Sequence, residues 1–217
     1  MNYDSVPLRD FKELNDWETV IFVYQSALKQ VETKIDILNG EFQHRHKYNP
    51  IEHVKSRIKT PESIVKKLKR HGYESSIENM VRYVNDIAGI RISCSFTSDI
   101  YLIADMISKQ NDLTILARRD YMKNPKKSGY RSYHMLVTTP VFLSDSIIDT
   151  KVEIQIRTVA QDFWATLEHK MHYKFEGDGP DYITKELREC ARYVAELDTR
   201  MEELNNRNPR NIGKLSE

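Results

Sequence analysis

The 217-residue sequence lacks the features that mark secreted, membrane and DNA-coating proteins. Its two cysteines, Cys94 and Cys190, form no CxxC pair, which disfavours a disulfide scaffold or a cysteine zinc site and fits a reducing cytoplasm. Its apolar runs fall short of the roughly 20 residues of a membrane span, and its first residues do not resemble a signal peptide. The 33 basic and 32 acidic residues nearly cancel, whereas DNA-coating proteins carry a positive excess. We therefore expect a cytoplasmic protein that binds neither a membrane nor DNA.

The N-terminal third is predicted to contain two helices joined by a polar segment. Apolar residues recur at helical spacing from Trp17 onward, and Gly40 is expected to end this first helix. Residues 44–50 are interpreted as a polar connection. Thr60 followed by Pro61 is typical of a helix N-cap and first helical position, so a second, shorter helix is expected to begin there.

The middle of the chain alternates between apolar and polar residues, as strands with one buried face do. This alternation predicts strands at 90–96 and 152–157, and further strands are predicted at 113–116 and 133–137. Because helices are predicted at both ends of the chain, the pattern indicates an α/β (α+β) class with one mostly continuous sheet. We expect a single domain over residues 1–205, with its core at about 45–176, followed by a disordered tail at 206–217.

The last predicted helix carries a narrow apolar seam with a seven-residue repeat. The seam residues are spaced alternately four and three apart: Ile183, Leu187, Cys190, Val194, Leu197, Met201 and Leu204. Packing against the chain's own N-terminal helix is the favoured interpretation, and a contact between subunits is the alternative. The spacing is compatible with both.

Positive charge is concentrated in two segments of this nearly neutral chain. Residues 55–70 contain seven basic residues and one acidic residue, and residues 118–131 contain six and one. The second segment also contains Tyr121 and Tyr130, whose rings suit stacking with a nucleobase. Because the chain lacks the GxxxxGKS/T and GxGxxG phosphate loops, side chains would have to hold a nucleotide. The pattern predicts polyphosphate binding, with ordinary solvated surface charge as the alternative.

Two carboxylates accompany the predicted strands. Asp86 immediately precedes the strand that carries Arg91, and Glu153 lies on the polar face of the strand at 152–157. If the two strands are neighbours, this pair could hold Mg²⁺, a hard ion that binds through few protein ligands and through substrate phosphates. The alternative is a surface ion pair between Glu153 and Arg91.

Four segments match the sequence motifs of a known family, in the same order. They are NPIEHVKSRIKTPESIVKKL at 49–68, NDIAGIRISC at 85–94, RDYMKNPKKSGYRSYH at 119–134 and VEIQIRTVAQDFWATLEHKMHYK at 152–174. Together they resemble the synthetase domain of the RelA/SpoT family, and in particular the small alarmone synthetases. The resemblance covers about residues 20–205, and four motifs in register are highly specific.

The resemblance implies a fold related to the nucleotidyltransferases, with a mixed β-sheet flanked by helices. It implies a GTP pyrophosphokinase, also called GTP diphosphokinase, that transfers the β,γ-pyrophosphate of ATP to the 3′-hydroxyl of GDP or GTP. The products would be AMP and ppGpp or pppGpp, the alarmones of the stringent response. Mg²⁺ is the implied cofactor, a homotetramer packed through terminal helices is the implied assembly, and single-stranded RNA is a candidate regulator.

The resemblance also implies roles for individual residues. The metal-binding and catalytic carboxylates would be Asp86 and Glu153. The positions expected to bind ATP are Arg57 and Arg91 at the adenine, and Lys59, Ser63 and Lys67 at the phosphates. The positions expected to bind the acceptor GDP or GTP are Tyr130 at the guanine, with Arg119, Lys126, His134, Gln155 and Asp162 around it. The following helix is expected to place two residues in the core, Phe163 and Trp164.

Two other functions are considered. A toxic synthetase relative would pyrophosphorylate tRNA 3′ ends or adenosine nucleotides. It would share the ATP half of the site, so the acceptor half around Tyr130 discriminates between the two activities. A non-catalytic RNA-binding module would use the two basic segments and would need neither Asp86 nor Glu153. The acceptor motif and the presence of both carboxylates favour synthesis from free guanine nucleotides.

Overall fold

The computed structural model describes residues 16–46, 48–174 and 181–207 of the chain. Within these ranges the chain forms six helices: α1 (Trp17–His46), α2 (Pro61–Arg70), α3 (Ile77–Tyr83), α4 (Thr97–Ser108), α5 (Val159–Lys174) and α6 (Asp181–Asn206). It also forms five strands: β1 (Ile51–Ile58), β2 (Ala88–Cys94), β3 (Thr114–Asp120), β4 (Tyr133–Phe142) and β5 (Ile147–Thr158). None of the described helices is both long enough and apolar enough to cross a membrane.

The strands form one mixed sheet in the order β1-β2-β5-β4-β3. β2 and β5 run parallel, whereas the other neighbouring pairs are antiparallel. The four predicted strands are all present, each overlapping its predicted position. A mixed sheet flanked by helices confirms the predicted fold class.

The sheet has an apolar face that α1 covers. Val20 and Val31 of α1 belong to the same buried core as Ile154 of β5, and α1 also contacts β1, β2 and β4. Side chains alternate between the two faces of a strand. The opposite face of β5 therefore carries its polar residues, Lys151, Glu153, Gln155 and Arg157. This polar face is where a functional site can form.

The structure corrects the prediction for the N-terminal region. α1 does not end at Gly40 but continues to His46, because a glycine inside a helix costs only about 1 kcal/mol and the rest of α1 is held by its packing on the sheet. The prediction also omits β1, an edge strand with mostly exposed side chains and hence no apolar alternation. Thr60 caps α2 as predicted, since its hydroxyl accepts a hydrogen bond from the Ser63 N–H at 3.3 Å.

The α6 helix does not pack as the favoured interpretation of its seam predicted. Within the described ranges it packs against α5 and α4 rather than against α1. Ala191 is buried there, whereas Leu197, Met201 and Leu204 are 50%, 45% and 60% exposed. Packing of the seam on the chain's own N-terminal helix is therefore wrong, and the subunit contact stays a prediction. Most of the predicted disordered tail, residues 208–217, lies outside the described residues.

Candidate functional site

The polar residues of β2 and β5 line a cleft on the face of the sheet opposite α1. Parallel pairing places Gly89 beside Glu153 and Arg91 beside Gln155. These four residues line a cavity of about 200 Å³, together with Arg57 and Asp86. A methyl group added at Gly89 would meet no atom within 4 Å, so the glycine helps to leave this cavity open. The two carboxylates singled out in the sequence thus face one cavity.

A smaller cavity of about 50 Å³ also borders Glu153, and it is lined in addition by Asn85, Arg119 and His134. Antiparallel pairing sets His134 beside Gln155 on β5 and beside Arg119 on β3. Glu153 therefore lies at the junction of two cavities. The larger cavity is lined by Arg57 and Arg91, and the smaller one by Arg119 and His134.

Asp86 is held by two lysines, one in the connection between β1 and α2 and one on α2. Its Oδ2 accepts a hydrogen bond from Lys59 Nζ at 2.8 Å, and its Oδ1 accepts one from Lys67 Nζ at 2.7 Å. Burial raises the pKa of Asp86, but the hydrogen bonds and charges of both lysines outweigh it and lower the pKa to about 2. Asp86 is therefore ionised at neutral pH.

Glu153 is held from its own strand and from β4. Gln155 Nε2 donates a hydrogen bond to Glu153 Oε2 at 2.8 Å, and His134 Nδ1 lies 3.7 Å from Glu153 Oε1. Burial and the nearby charge of Asp86 raise the pKa of Glu153, yet the contacts with His134 and Gln155 bring it below its usual value. Glu153 is thus a partly buried, ionised carboxylate that can accept a proton.

The alternative ion pair between Glu153 and Arg91 is wrong. Arg91 Nη1 instead lies 3.5 Å from Asp162 Oδ1, in the first turn of α5. Asp162 Oδ1 is also 3.5 Å from Arg157 Nε. The structure therefore places Asp162 between two arginines.

Tyr130 lies in the loop before β4, against several polar groups. Its hydroxyl and His134 Nε2 are joined by a 2.9 Å hydrogen bond. Lys126 Nζ lies 4.8 Å from the centre of the Tyr130 ring and 4.9 Å from that of Tyr121. Because His134 also approaches Glu153, a continuous chain of side chains joins the tyrosine ring to the central carboxylate.

The loop that carries Tyr130 is pressed against α6. Gly129 has a φ of +92°, a conformation that residues with a side chain rarely adopt. A Cβ at Gly129 would lie 2.5 Å from the Cβ of Ala191 on α6. Tyr130 packs on the same small cluster, which includes Ala191 and Trp164. The α6 helix thus supports the loop from behind.

Arg157 is a site residue that the sequence interpretation missed. It is only 1% exposed, its Nη2 donates to Gln155 Oε1 at 3.1 Å, and its Cζ lies 5.6 Å from the centre of the Tyr130 ring. Burial, with the nearby charges of Arg91 and Arg57, lowers the pKa of Arg157. The signal was present, because Arg157 continues the alternation that puts Glu153 and Gln155 on the polar face.

Lys151 was also missed. It is 2% exposed, and its Nζ donates to Asn85 Oδ1 at 2.7 Å and to the Arg82 carbonyl at 3.3 Å. Burial lowers the pKa of Lys151 to about 8. This lysine fastens the turn that immediately precedes Asp86.

The remaining predicted residues fall into two groups. The first group does not line a cavity itself but contacts residues that do or their neighbours: Lys59 and Lys67 contact Asp86, Tyr130 contacts His134, and Lys126 contacts the Tyr130 ring. Ser63 lines neither cavity, and its hydroxyl is hydrogen-bonded to Thr60 at 3.0 Å in the first turn of α2. Trp164 is buried as predicted, whereas the prediction that Phe163 is a core residue is wrong, since its side chain is 65% exposed.

Asp86 and Glu153 have the properties of ligands for a divalent cation such as Mg²⁺. Both carboxyl groups line one cavity, and both have a lowered pKa. In the described part of the chain, no three His, Cys, Asp or Glu side chains are grouped so that they could hold a metal by themselves. A pair of carboxylates fits Mg²⁺ nonetheless, because this ion keeps waters and takes further oxygens from substrate phosphates.

The chain is similar in sequence to known RelA/SpoT proteins. Residues 56–178 match the region found in RelA/SpoT proteins. The chain is 46% identical over 188 residues to GTP pyrophosphokinase YwaC of Bacillus subtilis (strain 168), an alignment that covers 87% of this chain and 90% of YwaC.

Solved structures of small alarmone synthetases have the same fold. Small alarmone synthetase 2 from Bacillus subtilis matches with a TM-score of 0.79 at 44% identity, over 88% of this chain and 99% of that one. Small alarmone synthetase 1 from Bacillus subtilis, bound to its product pppGpp, matches with a TM-score of 0.83 at 33% identity, over 89% and 98%. Similarity in sequence and fold along nearly the whole of these proteins shows that the chain belongs to the RelA/SpoT family.

Proposed function

We propose that this protein is a GTP pyrophosphokinase that transfers the β,γ-pyrophosphate of ATP to the 3′-hydroxyl of GDP or GTP. The observation that carries the proposal is the position of the ionised Glu153 at the junction of two cavities. A two-substrate transfer needs such an arrangement, with one nucleotide on each side of the reacting group. Two relatives support the same activity. YwaC is named a GTP pyrophosphokinase, and small alarmone synthetase 1 is bound to its product pppGpp.

ATP would occupy the larger cavity. Arg57 and Arg91 both line it, and planar guanidinium groups can stack on adenine while carrying charge. Lys59 and Ser63, near the N-terminus of α2, and Lys67, in its last turn, would receive the phosphates. In the present structure the two lysines hold Asp86, so arriving phosphates would compete with Asp86 for them.

Asp86 and Glu153 would hold Mg²⁺ together with the ATP phosphates. When bound, the ion would neutralise phosphate charge in this site. If Lys59 and Lys67 donated their hydrogen bonds to the phosphates, the Asp86 carboxylate would lose both of its ammonium donors. Metal and nucleotide binding are thereby linked through Lys59 and Lys67.

The acceptor would occupy the side of Glu153 that carries Arg119 and His134. The Tyr130 ring would stack on guanine, and Lys126 would contribute positive charge toward the phosphates. Gln155 lines the larger cavity beside Glu153, so its predicted acceptor contact would be made at the junction of the two cavities.

The transfer itself needs a base beside the 3′-hydroxyl. As the hydroxyl oxygen forms a bond to the β-phosphorus of ATP, the bond between that phosphorus and the oxygen bridging to the α-phosphate breaks. AMP leaves with the electron pair of the broken bond. The Glu153 carboxylate accepts the hydroxyl proton, and the neighbouring His134 and Gln155 orient it.

A labelling assay tests the proposed function. The purified protein is incubated with Mg²⁺ and ATP labelled on its β- and γ-phosphates, with GDP, GTP, ATP or tRNA offered separately. Label on GDP or GTP with stoichiometric AMP is the expected result. Label found on tRNA or on adenosine nucleotides alone would instead assign the protein to the toxic synthetases, and transfer to none of the acceptors would contradict the proposal.

Gly129→Ala is expected to raise the KM for GDP by roughly tenfold with little change in kcat, because a positive φ and the contact with Ala191 both force the loop to move. Adding Ala191→Gly removes the contact and should recover part of the loss. Steady-state kinetics with varied GDP measures both effects. Gly40→Ala, in a helix where the added methyl group meets nothing within 4 Å, is the control. An unchanged KM in Gly129→Ala would contradict the role given to this loop.

We also propose that the protein is a cytoplasmic homotetramer, with single-stranded RNA as a candidate regulator. The exposed stripe of Leu197, Met201 and Leu204 on α6 supports self-association through a terminal helix. Sedimentation should give four times the mass of the chain, and Leu204→Lys should lower it. Asn206→Lys, at an exposed polar position of the same helix, should leave the mass unchanged. A monomeric wild-type protein would contradict the tetramer.

A further inference from the structure

Asp162 lies beneath the cleft, where the polar ends of two strands meet a helix. It belongs to the first turn of α5, and its side chain is 14% exposed. Its Oδ1 is 3.5 Å from Arg91 Nη1 on β2 and 3.5 Å from Arg157 Nε on β5. One carboxylate oxygen thus contacts cations from two neighbouring parallel strands.

The two arginines extend toward different parts of the site. Arg91 lines the larger cavity, which is the proposed ATP side. Arg157 approaches the face of Tyr130, with 5.6 Å between its Cζ and the ring centre, and Tyr130 is the proposed guanine contact. Asp162 therefore contacts one cation on each side of the site.

The charges in this region require compensation. The positive charges of Arg91 and Arg57 lower the pKa of Arg157, and the negative charge of Asp162 raises it. Like charges brought together away from water repel strongly unless an opposite charge lies between them. Asp162 is placed to supply that charge for Arg91 and Arg157.

The contacts are also loose enough to adjust. Among the described residues, Arg91 Nε, Arg157 Nε and Asp162 Oδ1 are buried atoms without a hydrogen-bond partner. Asp162 Oδ1 lies 3.5 Å from each guanidinium nitrogen, slightly farther than a usual hydrogen bond. Attraction between opposite charges therefore holds the three groups together. Arg91, which is partly exposed and lines the larger cavity, can therefore turn toward a nucleotide while Asp162 remains its counter-charge.

We propose that Asp162 is a positioning residue that acts through Arg91 on the ATP side and through Arg157 and Tyr130 on the acceptor side. This inference rests on the proposed function for the identity of the two nucleotides. It differs from the direct contact with the acceptor expected from sequence, because the carboxylate is engaged by two arginines. Loss of its charge should weaken binding on both sides, whereas loss of a direct contact would affect the acceptor alone.

Equilibrium binding of two probes tests this role. The first probe is α,β-methylene-ATP, in which a P–C bond replaces the bond that would break, and the second is GDP. Asp162→Asn keeps the size of the side chain and is expected to weaken the binding of each probe by about five- to twentyfold. Asp162→Glu keeps the charge and should restore most of the affinity. Asp105→Asn, an exposed carboxylate on α4 paired with Lys109, is the control and should change neither.

A double-mutant cycle with Arg91→Gln identifies the route of the effect. If Asp162 acts on ATP through Arg91, Asp162→Asn should weaken α,β-methylene-ATP binding less than twofold when Arg91→Gln is already present. An undiminished effect in that background would overturn the proposal, as would a loss of GDP binding with normal binding of the ATP analogue. If Asp162→Asn fails to fold, Asp162→Glu tests the charge on its own and should bind both probes with nearly wild-type affinity. Affinities reduced as far as in Arg91→Gln would overturn the proposal. A wild-type protein that binds both probes but transfers no pyrophosphate would contradict the proposed function. The binding measurements on the Asp162 variants would still decide whether Asp162 is a positioning residue.

Discussion

Glu153→Gln is expected to lower the turnover of pyrophosphate transfer by roughly 10²–10⁴-fold, the range associated with loss of a general base. Glutamine keeps the shape of the side chain and an oxygen that can accept the 2.8 Å hydrogen bond from Gln155, so the fold and nucleotide binding should persist. It cannot accept the hydroxyl proton, and it removes one of the two charges available to a metal. The rate of AMP formation at saturating ATP and GDP measures the loss.

The control is Glu41→Gln, an exposed glutamate on α1 that pairs with Arg45 at 2.8 Å. Its turnover should equal that of the wild-type protein. Binding of GDP and of an ATP analogue to Glu153→Gln should be close to normal, which separates a chemical defect from a binding defect. Turnover near the wild-type value in Glu153→Gln would show that the base lies elsewhere.

Asp86→Asn is expected to abolish most of the transfer and also to lower stability. The variant loses a metal ligand and leaves Lys59 and Lys67 without the charge that both now contact. The Asp86 pKa falls from 3.8 to about 2 on folding, and at about 1.4 kcal/mol per pKa unit this corresponds to roughly 2 kcal/mol of unfolding free energy. Urea unfolding at neutral pH, in parallel with the AMP assay, measures both losses.

The pH dependence of this stability difference has a defined sign. A carboxyl group whose pKa is lowered by folding stabilises the folded state fully above its unfolded pKa of 3.8, and this contribution is lost as the pH falls through about 2. The unfolding free energies of wild-type protein and Asp86→Asn should therefore differ by a constant amount above about pH 5 and converge toward pH 2. A difference that grew as the pH fell would contradict the ion pairs with Lys59 and Lys67.

The strands that build the site were predictable because each has one buried face. Alternation located β5 and the side of it that carries Glu153, and the motif around residue 86 located the second carboxylate. β1 was not predictable in this way, since an edge strand with exposed side chains has no apolar period. Gly40 was misinterpreted because the local preference of glycine is weaker than the tertiary packing that holds α1.

The contacts of Asp162 and Arg157 depend on three-dimensional neighbours that spacing does not reveal. Arg157 follows the alternation of β5, but its burial results from Tyr130 and from α5, which lie against it in the folded chain. Asp162 is predicted to lie near the acceptor, and its position in the first turn of α5 also brings it against Arg91 of β2 and Arg157 of β5. Residue type was therefore informative about chemistry, and the crossing of helix and sheet decided which groups meet.

The two lysines on Asp86 have a consequence for the protein at rest. Because both carboxylate oxygens accept hydrogen bonds from ammonium groups, the chain itself compensates the negative charge at this position. The fold therefore has no need of a divalent ion to relieve repulsion there. Chelating agents should leave the melting temperature of the nucleotide-free protein unchanged, and changes in free magnesium concentration should act on the enzyme only while a nucleotide is bound.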